Sequence, residues 1–229
     1  MSEITANICV EELPEGYAGI VPILVDLSGD ELTLEVYEGL EGAAEEYLEK
    51  FENCLFSNKA LDFLCRKTDE YLQGKPYRRD EYGRTRFYNK FMLTDGDMVK
   101  KEVILPTSVK MAEEYDSLEN LTSLFAEDTG KIPPMSYVTV DEGKIVSVAT
   151  VNDTESDSVL EITVNTAPEY RGRGYGASNT AALALYLIEK GYAVAYCVSA
   201  YNKASIKIAK KCGFEKTGRF YAVSAYKIN

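Results

Sequence analysis

Two apolar rhythms divide the chain into elements. In the second half, MSYVTV and IVSVATV flank the turn DEGK and predict a hairpin. VNDTESDS reads as a loop, and LEITVNT as a strand with alternating faces. ASNTAALALYLIEKG predicts a helix stopped by Gly191. YAVAYCVSA follows as a buried strand, then NKASIKIAKKCGF as a short helix capped by Asn202 and stopped by Gly213, then FYAVSAYKI as a last strand. Nearer the N-terminus, GYAGIVPILVDL predicts a strand interrupted at Pro22. From Glu41 to Gln73 the apolar positions Tyr47, Leu48, Phe51, Leu55, Phe56, Leu61, Phe63 and Leu64 recur with a period of about 3.6 residues, predicting two helices broken around Ser57-Asn58. GKPYRRDEYGRTR is polar and turn-rich, as a linker would be. FYNKFML and KKEVILPTSVKM predict strands. DSLENLTSLFAED predicts a helix capped by Asp116 or Ser117 and broken by DTGKIPP. There is no internal repeat and no low-complexity segment.

The 229 residues suffice for one large domain, or for one domain with an extension. No run approaches the roughly 18 apolar residues of a membrane span, and MSEITANICVEELPEG lacks the basic start and apolar stretch of a signal peptide. Five cysteines, odd in number and without C-x-x-C spacing, fit reduced thiols and a cytoplasmic location. The absence of histidine removes the most frequent general base, the Ser-His-Asp hydrolases and most zinc sites. Proton transfer must then use carboxylates, tyrosines, lysines, backbone or water. Residues 1–130 carry 28 acids and 13 bases, a balance of −15, whereas residues 131–229 carry 9 acids and 12 bases, a balance of +3. Such a chain is a poor nucleic-acid binder. Its mildly basic half suits a small anion, and its acidic half would concentrate a cationic partner.

That anion has a candidate seat in PEYRGRGYG, between LEITVNT and the following helix. A helix N-terminus leaves about four N–H groups unpaired and carries partial positive charge. Glycines bring the backbone close to a phosphate. Arg171, Gly172, Arg173, Gly174, Tyr175 and Gly176 therefore form a candidate phosphate cradle. Two familiar versions fail on pattern. A P-loop ends in G-K-[ST], but Gly176 precedes Ala177-Ser178. A dinucleotide fold needs G-x-G-x-x-G directly after the strand, whereas the spacing here is G-x-G-x-G after an intervening Pro168-to-Arg171 stretch. A glycine-rich turn that binds nothing stays open.

At this point the sequence resembles the GNAT superfamily of acyl-CoA-dependent N-acetyltransferases. The resemblance rests on [RQ]-x-x-G-x-[GA], met by Arg171, Gly174 and Gly176, and on N-x-x-[AS]-(x)7-G-F, met by Asn202, Ser205, Gly213 and Phe214. It is good over about residues 135–227, plausible over 85–134 and absent over 1–80. It implies a mixed α/β (α+β) fold with a mainly antiparallel central sheet and a splayed parallel pair, LEITVNT and YAVAYCVSA. Residues 85–229 would form that domain, and residues 1–84 an N-terminal α/β extension. It further implies acetyl-CoA as cosubstrate. The pantetheine arm would bond backbone near Val164 to Thr166. The pyrophosphate would take the N–H groups of Arg173 to Ala177. Asn202, with Ser205 one turn on, would hold the ligand or the strand end, a role compatible with helix capping. The thioester carbonyl would be polarised by a backbone N–H near Val164 or Asn165. The implied function is N-acetylation of a primary amine on a small molecule or peptide by direct transfer. Acetyl-CoA and the amine acceptor are the implied partners, with no nucleic acid, membrane or metal; a homodimer is left open.

The resemblance departs from the family at one place. The leaving-group acid there is a tyrosine seven residues after the asparagine, and that position is Ala209. Tyr201 and Tyr221 are near in sequence without being placed at the sulfur. Glu161 is the candidate base, on the strand that would carry the thioester and facing away from Ile162 and Val164; it also suits a half-exposed polar face. Cys197 and Cys212 read as core thiols. Lys203, Lys207 and Lys210 or Lys211 share a helical side that either attracts nucleotide phosphates or is solvated. Tyr77, Tyr82 and Tyr88 with Arg78, Arg79, Arg84 and Arg86 read as part of an acceptor site or as an exposed linker. Ala209 keeps a rival open, a non-catalytic acyl-CoA-binding or regulatory module. A structural domain that binds nothing is a third reading.

Overall fold

The sequence Ser28-Gly29-Asp30 joins two runs whose apolar positions alternate, and Gly29 takes the positive φ of +62° that the tight reversal needs. The runs form an antiparallel pair, β2 (Gly19–Ser28) and β3 (Glu31–Tyr37), which buries Ile23, Val25, Leu32, Leu34 and Val36 on one face. This is a computed structural model describing residues 4–14, 16–80, 86–105, 109–111, 135–152 and 158–228. The expected helix at DSLENLTSLFAED lies outside them.

The chain divides into two compact units. One comprises Met1–Asn89, Ser199–Tyr201 and Thr217–Asn229; the other comprises Lys90–Val198 and Asn202–Lys216. In the first unit, β1 (Thr5–Glu11) runs parallel to β3, and β2 pairs antiparallel with β11 (Glu215–Lys227). Pro22 does not break β2. The β2–β3 ladder begins at Ile23, and the β2–β11 register shifts between Val223 and Ala225, so the residue without an N–H sits where no ladder bond is needed. Helices α1 (Glu41–Phe51) and α2 (Asn58–Tyr71) contribute Ala43, Ala44, Tyr47, Ala60, Leu61 and Leu64 to the same core, as the periodicity predicts. Tyr221 of β11 enters it too. Its hydroxyl donates to that of Tyr47 at 2.8 Å, and Tyr47 donates to the Leu55 carbonyl at 2.6 Å, so both buried phenols are satisfied. The break around Ser57 is a genuine cap, since its Oγ accepts the Ala60 N–H at 3.2 Å. Ser57→Ala is expected to cost about 1 kcal/mol in urea unfolding; an unchanged midpoint would remove the cap's role.

Three strands have no counterpart in the sequence-based expectations: β1, β3 and β4 (Tyr77–Arg79). The last corrects the linker reading of GKPYRRDEYGRTR, because β4 pairs with the C-terminal end of β11. Tyr77 is buried with its hydroxyl on the Tyr17 carbonyl, and Arg79 grips Asp69 through two 2.8 Å bonds. Neither is spare for an acceptor site. Tyr88 stacks on Phe220 at 4.8 Å, while Tyr82 and Arg84 fall outside the described residues.

In the second unit, β6 (Val109–Met111), β7 (Tyr137–Asp141), β8 (Lys144–Val151) and β9 (Val159–Thr166) form consecutive antiparallel pairs, and β10 (Ala193–Ser199) joins β9 in parallel. This is the expected mixed, mainly antiparallel sheet with one parallel pair. β5 (Arg86–Leu93) follows FYNKFML, and its end places Phe91 and Leu93 in this unit's core. KKEVILPTSVKM is not one strand. Lys101–Val103 forms a single 3-10 turn, with the Val103 N–H bonded to the Lys100 carbonyl, and the Leu105 N–H turns to the Ser178 hydroxyl at 2.8 Å. Donors used in this way cannot build a ladder; among the described residues of the segment, Val109–Met111 pair with β7. Helix α3 (Tyr175–Glu189) is buried continuously from Gly176 to Ala184, so it is small-sided and covered nearly all round, with Ser178, Asn179 and Thr180 inside, rather than amphipathic. Helix α4 (Lys203–Cys212) ends at Gly213, whose φ is +103°.

Candidate active site

The parallel pair does not stay together. Val159, Leu160 and Glu161 pair with Ala193, Val194 and Ala195, and there the ladder stops, although β9 runs on to Thr166 and β10 to Ser199. From Ile162 to Thr166, β9 is paired with β8. A split therefore opens between two parallel strands in the middle of a sheet.

Alternation of the backbone says which groups face the split. The Ala167 N–H bonds Val146 O, the Asn165 carbonyl accepts from Ser147 Oγ, and the Glu161 carbonyl accepts from Asn152 N. Odd-numbered residues of β9 thus direct their backbone polar groups toward β8. Even-numbered ones direct theirs the other way. Of the two backbone donors the sequence nominates, Val164 presents its N–H to the split and Asn165 presents its own to β8. Thr166 also faces the split side, and its carbonyl there accepts from Arg171 Nε at 3.1 Å.

Side chains sort by the same parity. Ile162 and Val164 pack into the core beneath α3, whereas Thr163 and Asn165 are exposed on the opposite face. Glu161 belongs to that second face, at the last paired position. It is half-buried, and its Oε1 accepts from Asn152 Nδ2 at 3.0 Å. The carboxylate is thus held at the closed end of the split, by a residue that continues β8.

The glycine-rich turn follows β9 closely. Pro168–Tyr170 makes a 3-10 turn, Gly172 and Gly174 take φ of +81° and +91°, and α3 begins at Tyr175 with Gly174 as its cap. The helix starts two residues before the expected Ala177. The first intrahelical bond runs from Ser178 N to the Gly174 carbonyl at 2.9 Å, so the N–H groups of Gly174, Tyr175, Gly176 and Ala177 precede it. Gly176 is constrained by space. A Cβ there would lie 3.1 Å from Thr166 Oγ1, 3.3 Å from Ile208 Cδ1 and 3.6 Å from Val164 Cγ2. Its bare backbone lets α3, α4 and the end of β9 meet at one point. Arg171 and Arg173 are exposed beside it. Arg173 lies over the Tyr170 ring at 4.8 Å and 3.7 Å from Asp141. This donor set, four leading N–H groups and two exposed guanidiniums, fits a diphosphate.

On α4, Asn202 Oδ1 accepts the Ser205 N–H at 3.1 Å, the cap expected of it. Lys203, Lys207, Lys210 and Lys211 are all exposed. Cys212 is fully buried, donates to the Ala177 carbonyl at 3.2 Å, and has its thiol pushed up to about 12 by desolvation; it is a core thiol, as expected. Ala209 is fully buried, and Tyr221, one of the two nearby phenols, is engaged in the first unit's core. Sequence reasoning passed over Tyr196. It is the first β10 residue beyond the last parallel pair, and it packs with Val194 and Val198 on the helix side of the strand. Desolvation raises its phenol to about 12, with a side-chain hydrogen bond to Ser205 acting in the lowering sense. The signal for it was the alternation Val194, Tyr196, Val198, which puts the phenol on the face of α3 and α4. Among the described residues, no cluster of His, Cys, Asp and Glu is arranged to hold a metal ion, and no helix is long and apolar enough to cross a membrane.

Residues 134–223 match a family described as GNAT acetyltransferase. Among solved structures, the chain is similar to a putative GNAT-family acetyltransferase from Novosphingobium aromaticivorans. That match has 20% identity over 68% of this chain and 69% of the other, with a TM-score of 0.53. A GCN5-related N-acetyltransferase from Sphaerobacter thermophilus matches at 15% identity over 72% of this chain and 57% of its own, with a TM-score of 0.48. A comparison with curated proteins finds no match. The first of these likenesses speaks for the fold.

Proposed function

We propose, on the match of residues 134–223 to the GNAT acetyltransferase family, that this chain is a GNAT acetyltransferase and transfers an acetyl group from acetyl-CoA directly to a primary amine of a small molecule or peptide. Membership supports acyl transfer in general. The finer reading rests above all on one observation: the parallel ladder ends at Glu161 and Ala195, and α3 begins at the far end of the strand that continues alone. An extended arm lying along β9 would meet strand-edge donors and acceptors at even positions, then the leading N–H groups of α3. Val164 is the donor suited to the charge that develops on the carbonyl oxygen. Arg171, Gly172, Arg173, Gly174, Tyr175, Gly176 and Ala177 would hold the diphosphate. Asn202 and Ser205 border the arm from α4. Glu161, on the same face as Thr163, would take the proton the amine must lose, directly or through water.

A second reading, an acyl-CoA-binding module without turnover, draws on Ala209, which supplies no acid from α4. Calorimetric titration of acetyl-CoA tests both. Wild-type protein is expected to bind, and Gly174→Glu, which forces a side chain onto a positive φ and adds a carboxylate where a phosphate should sit, is expected to weaken binding at least tenfold. Equal affinities would remove the diphosphate from this turn. Release of free thiol with any of a panel of amines separates enzyme from module.

A further inference from the structure

Breaking a thioester leaves a thiolate, and expulsion is faster when an acid stands beside the sulfur. Alanine at 209 means that this position of α4 offers none. The opposite lip of the split carries a phenol, Tyr196. In the parallel register Ala195 is level with Glu161, so Tyr196 is level with Ile162, two residues short of Val164 along the direction of β9. Two residues of strand span about 6.6 Å. Tyr196 projects to the same side as Ile162 and Val164, toward α3 and α4. Its ring lies 5.7 Å from that of Phe214 and shares a core cluster with Ala209. The small residue at 209 leaves room under α4 for a large one on β10. At the hydroxyl end stands Ser205, one helical turn from Ala209 on the same face of α4.

We propose, resting on the acyl-CoA reading above, that Tyr196 is the proton donor to the departing sulfur, with Ser205 orienting its hydroxyl. The amine nitrogen forms a bond to the carbonyl carbon as the carbon–sulfur bond breaks. Sulfur keeps the bonding pair and takes the phenol's proton. The phenolate regains a proton from water, and the proton lost by nitrogen passes to Glu161 or to water. The carbonyl donor would then sit on one lip of the split and the sulfur's acid on the other.

The test uses coenzyme A itself and needs no acceptor. Its affinity is measured first by calorimetry. The thiol of the bound molecule is then titrated by its thiolate absorbance, with the desulfo analogue as blank. In wild type, a hydrogen bond from Tyr196 should hold the bound thiolate. Tyr196→Phe, which keeps the ring and its packing, should raise the bound thiol's pKa by about one unit at unchanged Kd. Ser205→Ala, which leaves the phenol in place, should raise it by less. Tyr201→Phe, at an exposed phenol, should leave it unmoved. If Tyr196→Phe leaves the thiol pKa at the wild-type value, or if Tyr201→Phe is the variant that moves it, the assignment is overturned. If Tyr196→Phe does not fold, Ser205→Ala decides, and no shift there overturns the assignment. Failure of wild type to bind coenzyme A defeats the acyl-CoA reading and this proposal with it, and the prior affinity measurement distinguishes that result from a failure of the phenol alone.

Discussion

Gly213→Ala is expected to lower stability by about 3 kcal/mol or more, because two independent penalties act at one atom. The backbone there has φ of +103°, and a Cβ would lie 2.0 Å from the Met98 carbonyl oxygen and 3.0 Å from its carbon. Backbone, unlike the tip of a flexible side chain, does not swing aside. The Lys100 N–H also bonds the Cys212 carbonyl at 3.2 Å, so the segment from Met98 to Lys100 is tied across the end of α4. Displacing it loosens the helix that carries Asn202 and Ser205, and coenzyme A affinity should fall along with stability. Gly143→Ala is the informative control. Its φ is +78°, but nothing lies within 4 Å of its added Cβ, so backbone strain alone of about 1 kcal/mol is expected. Urea midpoints at constant m-value read both. Equal shifts for the two variants would show that the contact with Met98 contributes nothing.

Alkaline pH is expected to unfold the protein within a narrow interval. Tyr47, Tyr196 and Tyr221 are held above the ordinary phenol value of about 10, and Cys212 above the ordinary thiol value of about 9, in each case chiefly by desolvation. All four are neutral acids that keep their protons more tightly when folded. Below pH 9 both states are protonated, and the contribution to stability is whole. As pH rises through 9 and then 10, the unfolded chain ionises first, and stability falls by about 1.4 kcal/mol per pH unit for each group. Four groups together give a slope near 5 kcal/mol per pH unit, large against a total of about 5–15 kcal/mol. With no histidine, the curve should be level across about pH 6–8. Melting temperatures from pH 6 to 12 check this, and a curve still level at pH 11 would contradict it. Replacing Tyr47 and Tyr221 together by phenylalanine should reduce the slope by about half.

What was legible in the sequence were the features written locally. Gly191 and Gly213 do stop α3 and α4, Ser57 and Asn202 do cap, and Glu142-Gly143 does turn the β7–β8 hairpin with φ of 49° and 78°. The glycine-rich turn before α3 was legible for the same reason, since Gly172 and Gly174 do take positive φ. Strand β3 was legible in principle through Leu32, Leu34 and Val36, set off by the Ser28-Gly29-Asp30 turn. Strand β1 was not, because its residues are mostly exposed and no core face imposes an alternation on them. Strand β4 is three residues long and exists through its pairing with β11. The split between β9 and β10 was expected from the family resemblance and not from the residues themselves. Nothing in LEITVNT or YAVAYCVSA says that their ladder ends at Glu161. Tyr196 stayed hidden for that reason, since its importance follows from standing just past that point.

The pairing of β2 with β11 joins Val25 to Tyr221, residues separated by nearly the whole chain. On a ribosome adding about 5–20 residues per second, the first hairpin and its two helices would wait roughly 8–30 s for the strand that completes their sheet. Throughout that interval Ile23, Val25, Tyr47 and Leu64 lack the Tyr221 and Val223 side chains that share their core. This core therefore cannot close until β11 has been made. The N-terminal third is the stretch a holding chaperone would be expected to engage during synthesis, and the stretch most exposed to aggregation when translation stalls near the end.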